Sequence, residues 1–340
     1  MKEIKSVSYL IIFLIAVTGC SINNSGNKEQ ESLYNWKFIG RLSGKTIKDI
    51  RLADDNTILG TTDRRIYVSD DNGAYFRGFG FPDSVDAYRL RKYNDDYYLV
   101  GEMYSPYASG FWGGTIRLLF VKKNGTDEWE KLHGGYLFQD VLVKQDNYFV
   151  GALNGVTVVN AEYNQVERFN LFNSKLNDQV DDMIEFHDYL LLSSHEGVFG
   201  SNDLGSNWID LTAMLSKDHD HILKMRIDGD GALHAMAKHR SYITNNTSFD
   251  WEIRYMPERY DVLNLKSSNE YIAIDHDDVY QITFDESGKA EVFNVTPDVY
   301  RVVEHRNWQF IEALPEGILI LSGSEGVFIG TPNPDSDYWN

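Results

Sequence analysis

The residues able to do chemistry fall into three groups. Asp275-His276-Asp277-Asp278 and Asp218-His219-Asp220-His221 set imidazoles beside carboxylates, the donor types that hold divalent cations. The chain also carries 51 acidic residues, and glycoside hydrolysis needs two of them facing each other across a bond. Cys20 is the only thiol. Neither of the first two groups singles out a site. Successive residues on a strand alternate between faces, so four adjacent ligands rarely converge on one ion, and among 51 acidic residues some pair always suggests itself. No metal, cofactor or catalytic residue is assigned on this basis. Cys20 is different, because its surroundings restrict what it can do.

Lys2 and Lys5 precede an apolar stretch of about eleven residues, Val7 to Val17, and small residues follow, the layout of an export signal. Such a stretch is too short to cross a bilayer as a helix. Val17-Thr18-Gly19-Cys20 resembles the lipobox of bacterial lipoproteins, where a peptidase cuts before a cysteine already made a thioether to diacylglycerol. That resemblance implies a signal peptide over residues 1–19, lipidation at Cys20, and an anchor that holds the chain on a membrane without spanning it. Residues 20–34, rich in Asn, Ser and Gly, read as a flexible tether. Ser21 in place of Asp after the cysteine points to the outer membrane in enterobacteria-like cells, so the expected location is the cell envelope. With Cys20 acylated no thiol remains, and the exported domain must stand without a disulfide.

The net charge of −19 repels nucleic acid and anionic headgroups, which excludes nucleic-acid binding. A hydrophobic content of 42 % with 14 % aromatics supplies core material for residues 35–340. Those residues repeat with a period near forty. Thr57-Ile58-Leu59-Gly60 followed by Arg65-Ile66-Tyr67-Val68 has the same form as Leu190-Leu191-Leu192-Ser193 followed by Gly197-Val198-Phe199-Gly200, and as Ile318-Leu319-Ile320-Leu321 followed by Gly326-Val327-Phe328-Ile329. Anchored on the third run, units fall near residues 66, 116, 156, 198, 242, 279 and 327. Each holds four short β-type segments, and a sheet of that size cannot bury both faces alone. The fold class read from this is all-β, a seven-bladed β-propeller of four-stranded antiparallel blades. Two β-sandwiches are the rival architecture. Trp36-Lys37-Phe38-Ile39-Gly40 precedes the first unit and is expected to complete the last blade, with Trp339 as the alternative source of that strand.

Four turns between third and fourth strands share a form. Ser201, Asp203, Gly205 and Trp208 fit Ser-x-Asp-x-Gly-x-x-Trp at every fixed position, and Ser69, Asp71, Gly73 and Phe76 fit with Phe for Trp. Thr244 to Trp251 is a worn copy and Lys123 to Trp129 a distant one. A short carboxylate accepts turn amides, Gly takes a positive φ, and the aromatic returns to fill the gap beside the next sheet. The chain therefore resembles the Asp-box, or BNR-repeat, propellers, which include sialidases, sortilin-like receptors, xyloglucan hydrolases and photosystem-assembly lipoproteins. Leu176-Asn177-Asp178-Gln179-Val180-Asp181-Asp182-Met183-Ile184 resembles repeats in periplasmic propellers of two-component sensors. The resemblance implies structural roles for Asp71 and Asp203.

In such a ring the loops after second and fourth strands open on one face. The longest, from Glu102 to Gly114, carries Tyr104, Tyr107, Phe111 and Trp112, a set suited to a protein epitope or a sugar ring, or to plugging the ring mouth. Arg64, His195, His239, Arg240 and His276, with Asp63, Glu196, Asp275, Asp277 and Glu325, sit in equivalent loops. Sialidases carry a Phe/Tyr-Arg-Ile-Pro element, and none occurs here. The expected function is a lipid-anchored, monomeric binding or assembly module for an envelope protein or glycan. A glycan-active hydrolase and a periplasmic sensory propeller are the alternatives.

Overall fold

The computed structural model describes residues 32–336, apart from 40–46, 54, 63–64, 82–83, 105–113, 136–137, 154, 161–164, 172–178, 213–220, 298–307 and 324–325. Cys20, Arg64, Tyr107, Phe111 and Trp112 lie outside the described residues. Among those described, no helix is long and apolar enough to cross a membrane.

Seven antiparallel four-stranded sheets follow one another along the chain: residues 47–79, 86–135, 140–170, 180–210, 224–255, 262–294 and 308–332, blades 1 to 7. In the first six, strand order equals chain order, the product of tight turns between successive strands. Several of those turns have consecutive residues at positive φ, such as Asn94 and Asp95 at 48° and 68° and Gln145 and Asp146 at 49° and 63°, the hairpin geometry that matches strand twist. Third strands lie over Arg65–Ser69, Thr115–Lys122, Gly155–Asn160, Gly197–Ser201, Arg240–Thr244, Asp278–Phe284 and Gly326–Pro332, at the spacing the repeat predicts.

Blade 7 supplies only three strands of its own. Tyr34–Ile39 completes it, pairing antiparallel with Gly326–Pro332 from Tyr34 opposite Pro332 to Ile39 opposite Val327. The expected clasp is present, and it begins at Tyr34, itself buried, one residue before the boundary read from composition. Trp36 seals the join, donating its indole N–H to the Val295 carbonyl at 2.9 Å.

Burial explains the radial arrangement. Second strands such as Ile58–Thr62 and Tyr189–Ser194 are buried almost throughout, which a sheet reaches only with a neighbour on each face. Seven hydrophobic clusters result, and each is shared by two consecutive blades. Ile47, Ile58, Ile320, Val327 and Ile329 join blade 7 to blade 1. The first strands Ile47–Leu52, Asp86–Tyr93, Asp140–Lys144, Val180–Phe186, Lys224–Ile227, Val262–Ser267 and Trp308–Ala313 contact each other in that cyclic order, the last touching the first. They therefore line one axis, and the fold is a closed seven-bladed β-propeller. Two sandwiches are ruled out, since every blade shares a cluster with both of its neighbours and blade 7 shares one with blade 1.

Candidate functional site

Charged side chains meet on the axis. They come from a local irregularity repeated near the start of four first strands: pairing skips a residue between Ile47 and Asp49, between Ala87 and Arg89, between Val180 and Asp182, and between Trp308 and Phe310. A bulge of this kind re-aims the residues after it. Asp182 lies at the centre, almost fully buried, accepting from Arg51 Nη1 at 2.8 Å, Arg91 Nη2 at 3.0 Å, Arg226 Nη1 at 3.3 Å and the Met225 N–H at 2.9 Å. Asp140 accepts from Arg91 Nε at 2.8 Å and lies 3.4 Å from Arg89. Asp49 accepts from Arg51 at 2.8 Å. Glu312 accepts from Arg226 at 3.1 Å, from Asn264 at 3.0 Å and from Lys224.

The electrostatics follow from this packing. Burial works to raise the Asp182 carboxyl, and Arg51, Arg226 and Arg91 outweigh it, holding the group well below the usual carboxylate range. Burial likewise opposes ionisation of Glu312, but Lys224 and Arg226 bring it to about 2. Lys224 is pulled down to about 8, by burial first and then by the positive charge of Arg226. The axial set has five cations, Arg51, Arg89, Arg91, Lys224 and Arg226, against four anions, Asp49, Asp140, Asp182 and Glu312. A protein of net charge −19 thus concentrates nearly balanced charge in this axial set.

Beyond this network lies a cavity of about 650 Å³. Its wall is made by residues late in the first strands, among them Leu52, Arg91, Met183, Arg226, Leu265 and Glu312, and by Asn56, Asp228 and Gly229 in the turns after them. In an up-and-down blade those turns share a face with the turns between third and fourth strands. The cup therefore opens on the hairpin-turn face, opposite the loops where the sequence reading placed a recognition surface. Asp228, in its rim, accepts from His234 Nε2 at 3.1 Å, while His234 Nδ1 is 2.9 Å from the Tyr271 hydroxyl. Burial depresses the His234 imidazole more than Asp228 restores it.

The loop face carries the described members of the expected set. His239 Nε2 lies 2.7 Å from Arg240 Nη2, and the Arg240 guanidinium stands 5.5 Å from the centre of the Tyr255 ring. Lys238 reaches Asp261 at 3.4 Å, linking this patch to Asp275 and His276 of blade 6. The His276 imidazole is raised by its hydrogen bond to Asp275. Asp275 and His276 turn the same way, because His276 sits in a turn at φ 53° and the alternation expected of a strand does not apply there. With Asp261 they form a compact exposed acidic group, whose members already engage Lys238 and the His276 N–H. His195 packs edge-on against His221, 5.1 Å between ring centres, and His221 lies 2.5 Å from Asp181. Tyr104 is 71 % exposed and ends the strand Asp96–Tyr104 of blade 2. Nearby, Arg117 stacks 3.6 Å from the Tyr88 ring centre and binds Glu102 at 3.0 Å. The expected residues thus share a face as separate groups.

The hairpin turns of blades 1 and 4 repeat one geometry. Ser69 Oγ donates to Asp71 at 2.7 Å and accepts the Gly73 N–H at 2.9 Å, while Asp71 accepts the Tyr75 N–H at 2.9 Å. Ser201, Asp203, Gly205 and Asn207 reproduce this at 2.9, 2.9 and 2.8 Å. Amide donors at Tyr75, and the Asn207 side chain together with its amide, hold the two carboxyls below their ordinary range. In the worn turn Asn246 replaces Asp and accepts from Ser248 at 3.1 Å. Gly73 and Gly205 have φ of 82° and 84°, and a Cβ there would come within 2.7 Å of Ile329 or 2.8 Å of Phe149. Each turn therefore seats against the preceding blade.

Sequence reasoning missed the axial residues. A signal existed: Asp49 and Arg51, Arg89 and Arg91, Asp140, Asp182, Lys224 and Arg226, Asn264 and Glu312 place a polar residue in the first strand of every unit.

No protein-family model matches the chain, and no curated protein matches it. Solved structures do. The extracellular domain of the one-component system BT4673 of B. thetaiotaomicron superposes with a TM-score of 0.62 at 11 % identity, over 88 % of this chain and 40 % of that one. YCF48 bound to D1 peptide gives 0.58 at 11 % identity, over 89 % and 96 %. A streptogramin B lyase gives 0.57 at 12 % identity, over 90 % and 100 %. The chain spans about two fifths of the length of the BT4673 structure. At these identities the likeness is one of fold, shared by a sensor, a peptide binder and a lyase.

Proposed function

We propose that this chain is an exported, lipid-anchored envelope protein, its residues 1–19 a signal peptide, Cys20 the acylated residue, and its propeller a binding or assembly module for another envelope protein or a glycan. The observation that carries the binding role is the loop face: Tyr104 and Tyr255 stand 71 % and 59 % exposed there, with Arg240 and His276 beside Tyr255 and its neighbouring blade. Exposed aromatics next to cations on a rigid ring are the residues that dominate macromolecular interfaces. Hydrogen-bonded turns in blades 1 and 4 support the Asp-box resemblance as part of this reading. The neighbour BT4673 is described as an extracellular domain and YCF48 as bound to a peptide, both compatible with such a role.

Two measurements test it. Cys20→Ala should move the protein from the membrane to the soluble fraction and abolish incorporation of a palmitate analogue; unchanged fractionation would remove the anchor. Full-length protein in detergent should retain a specific envelope protein or glycan that the double variant Tyr104→Ala, Tyr255→Ala releases. Turnover of a fluorogenic sialoside or another glycoside would instead make it a hydrolase.

A further inference from the structure

We propose that the axial cup on the hairpin-turn face is a second, separate binding site, for a small ligand carrying one carboxylate on an apolar stem, with the carboxylate held by Arg226 and Arg91. A cavity of about 650 Å³ is within the range of small-molecule sites. Its composition divides by depth. Leu52, Leu142, Met183, Ile184 and Leu265 give an apolar wall, and the two guanidiniums form the charged floor.

The floor has unused donors. Arg91 engages Asp140, Asp182 and the Met183 carbonyl through Nε and Nη2, which leaves Nη1 without a partner among the described residues. Arg226 uses Nη1 and Nη2, leaving Nε. Arg91 and Arg226 both line the cup, and a carboxylate entering it accepts from their open donors in charge-assisted hydrogen bonds. The acids in the lining do not compete for these donors' ligand: Asp228 is taken by His234 and turn amides, Glu312 by Lys224, Arg226 and Asn264, and Glu185 by Lys144 at the rim. The charged lining is balanced, Arg91, Arg226 and Lys266 against Glu185, Asp228 and Glu312, so a monoanion disturbs it less than a phosphate dianion would inside a protein of net charge −19.

Proton release by Lys224, near pH 8, removes one positive charge from the network beside the floor. Lys224 faces Glu312 of blade 7, Arg51 of blade 1 and Arg226 on its own strand, and these in turn engage Asn264 of blade 6 and Asp182 of blade 4. Of these the carboxylates stay ionised through neutral and alkaline pH, while the Lys266 amine in the cup wall, also lowered by burial, loses its charge in the same direction as Lys224.

The test is calorimetric titration of the full-length protein in nonionic detergent with N-acetylleucine, N-acetylleucinamide and galacturonate. N-acetylleucine should bind saturably, with the neutral amide weaker by about tenfold or more and galacturonate weaker than N-acetylleucine. Arg226→Gln should weaken N-acetylleucine by about tenfold. Ile227→Glu, at a rim residue 40 % exposed and outside the ion network, should do the same without lowering the melting temperature. Affinity should fall between about pH 7 and about pH 9. Equal binding of acid and amide, absence of carboxylate binding, or a folded Ile227→Glu protein that binds like the wild type would overturn the proposal. Galacturonate binding as tightly as N-acetylleucine would overturn the apolar stem. None of these results depends on the loop face, and Tyr104→Ala should leave the titration unchanged.

Discussion

On the axis, Asp182 is nearly inaccessible and is met by three arginines and a backbone amide, whereas on the loop face His276 is exposed and leans on one neighbouring aspartate. Both regions are charged, and both sit at equivalent levels of the repeat, one in first strands and one in the loops between second and third. The difference lies in solvation. A carboxylate taken out of water keeps its charge only while every cation around it stays in place, so the axial residues are coupled to one another and to ring closure. An exposed pair is screened and contributes little to stability, which leaves its residues free to meet a partner.

That contrast is most directly broken at Asp182. Its replacement by Ala should leave Arg51, Arg91 and Arg226 facing each other and cost about 3–5 kcal/mol in urea unfolding, the range for removing one partner of a buried pair. A loss no larger than that of a surface substitution would mean that water reaches the axis and the network is not truly buried.

A smaller effect is expected at the turns that join blades. Gly205→Ala combines a positive φ with a Cβ 2.8 Å from Phe149, and should cost about 1–3 kcal/mol. Asp203→Ala, which releases the Asn207 amide and Ser201, should cost about 1 kcal/mol. Differential scanning calorimetry reads both, and the reverse order would place the turn's value in the carboxylate.

Acid should act through buried groups. His234 is depressed below its unfolded value of about 6.5, so the unfolded chain takes up that proton first. Stability is therefore full above the unfolded value and declines as pH falls through it. Asp228 and Asp182, both depressed, extend the loss at lower pH, as each carboxylate is protonated in the unfolded chain before the folded one. Urea midpoints measured from neutral pH downward should fall, and His234→Gln should flatten the first part of the slope. A rise in stability on acidification would contradict the neutral assignment of His234.

At the exposed end of the comparison the outcome is a titration alone. The His276 ring should titrate above about 6.5 in proton NMR, and Asp275→Asn should return it toward that value. The Asp275→Asn protein should unfold at the same urea midpoint as the wild type.

The propeller was readable because its cause is local. Short runs of Val, Ile, Tyr and Phe, turn residues between them and a forty-residue period dictate small sheets that cannot stand singly, and Trp36 to Ile39 stood as a strand without a blade of its own. The turns of blades 1 and 4 were readable for the same reason, since Ser69, Asp71 and Gly73 satisfy one another within five residues. Little of the candidate site was legible. Asp49, Arg91, Asp182, Arg226 and Glu312 lie as far apart as residues 49 and 312, and only closure of the ring brings them together. Bulges before Asp49, Arg89 and Asp182 turn these side chains to the axis, and a bulge is a property of two paired strands. Which face opens into a cup was also decided there, because the width of a mouth depends on how seven strands converge and on no single one of them. By itself the sequence determined the blades, their number and the clasp, all products of short-range pattern. Only tertiary structure decided where charge is buried and where space is left, since both follow from segments that meet through the fold.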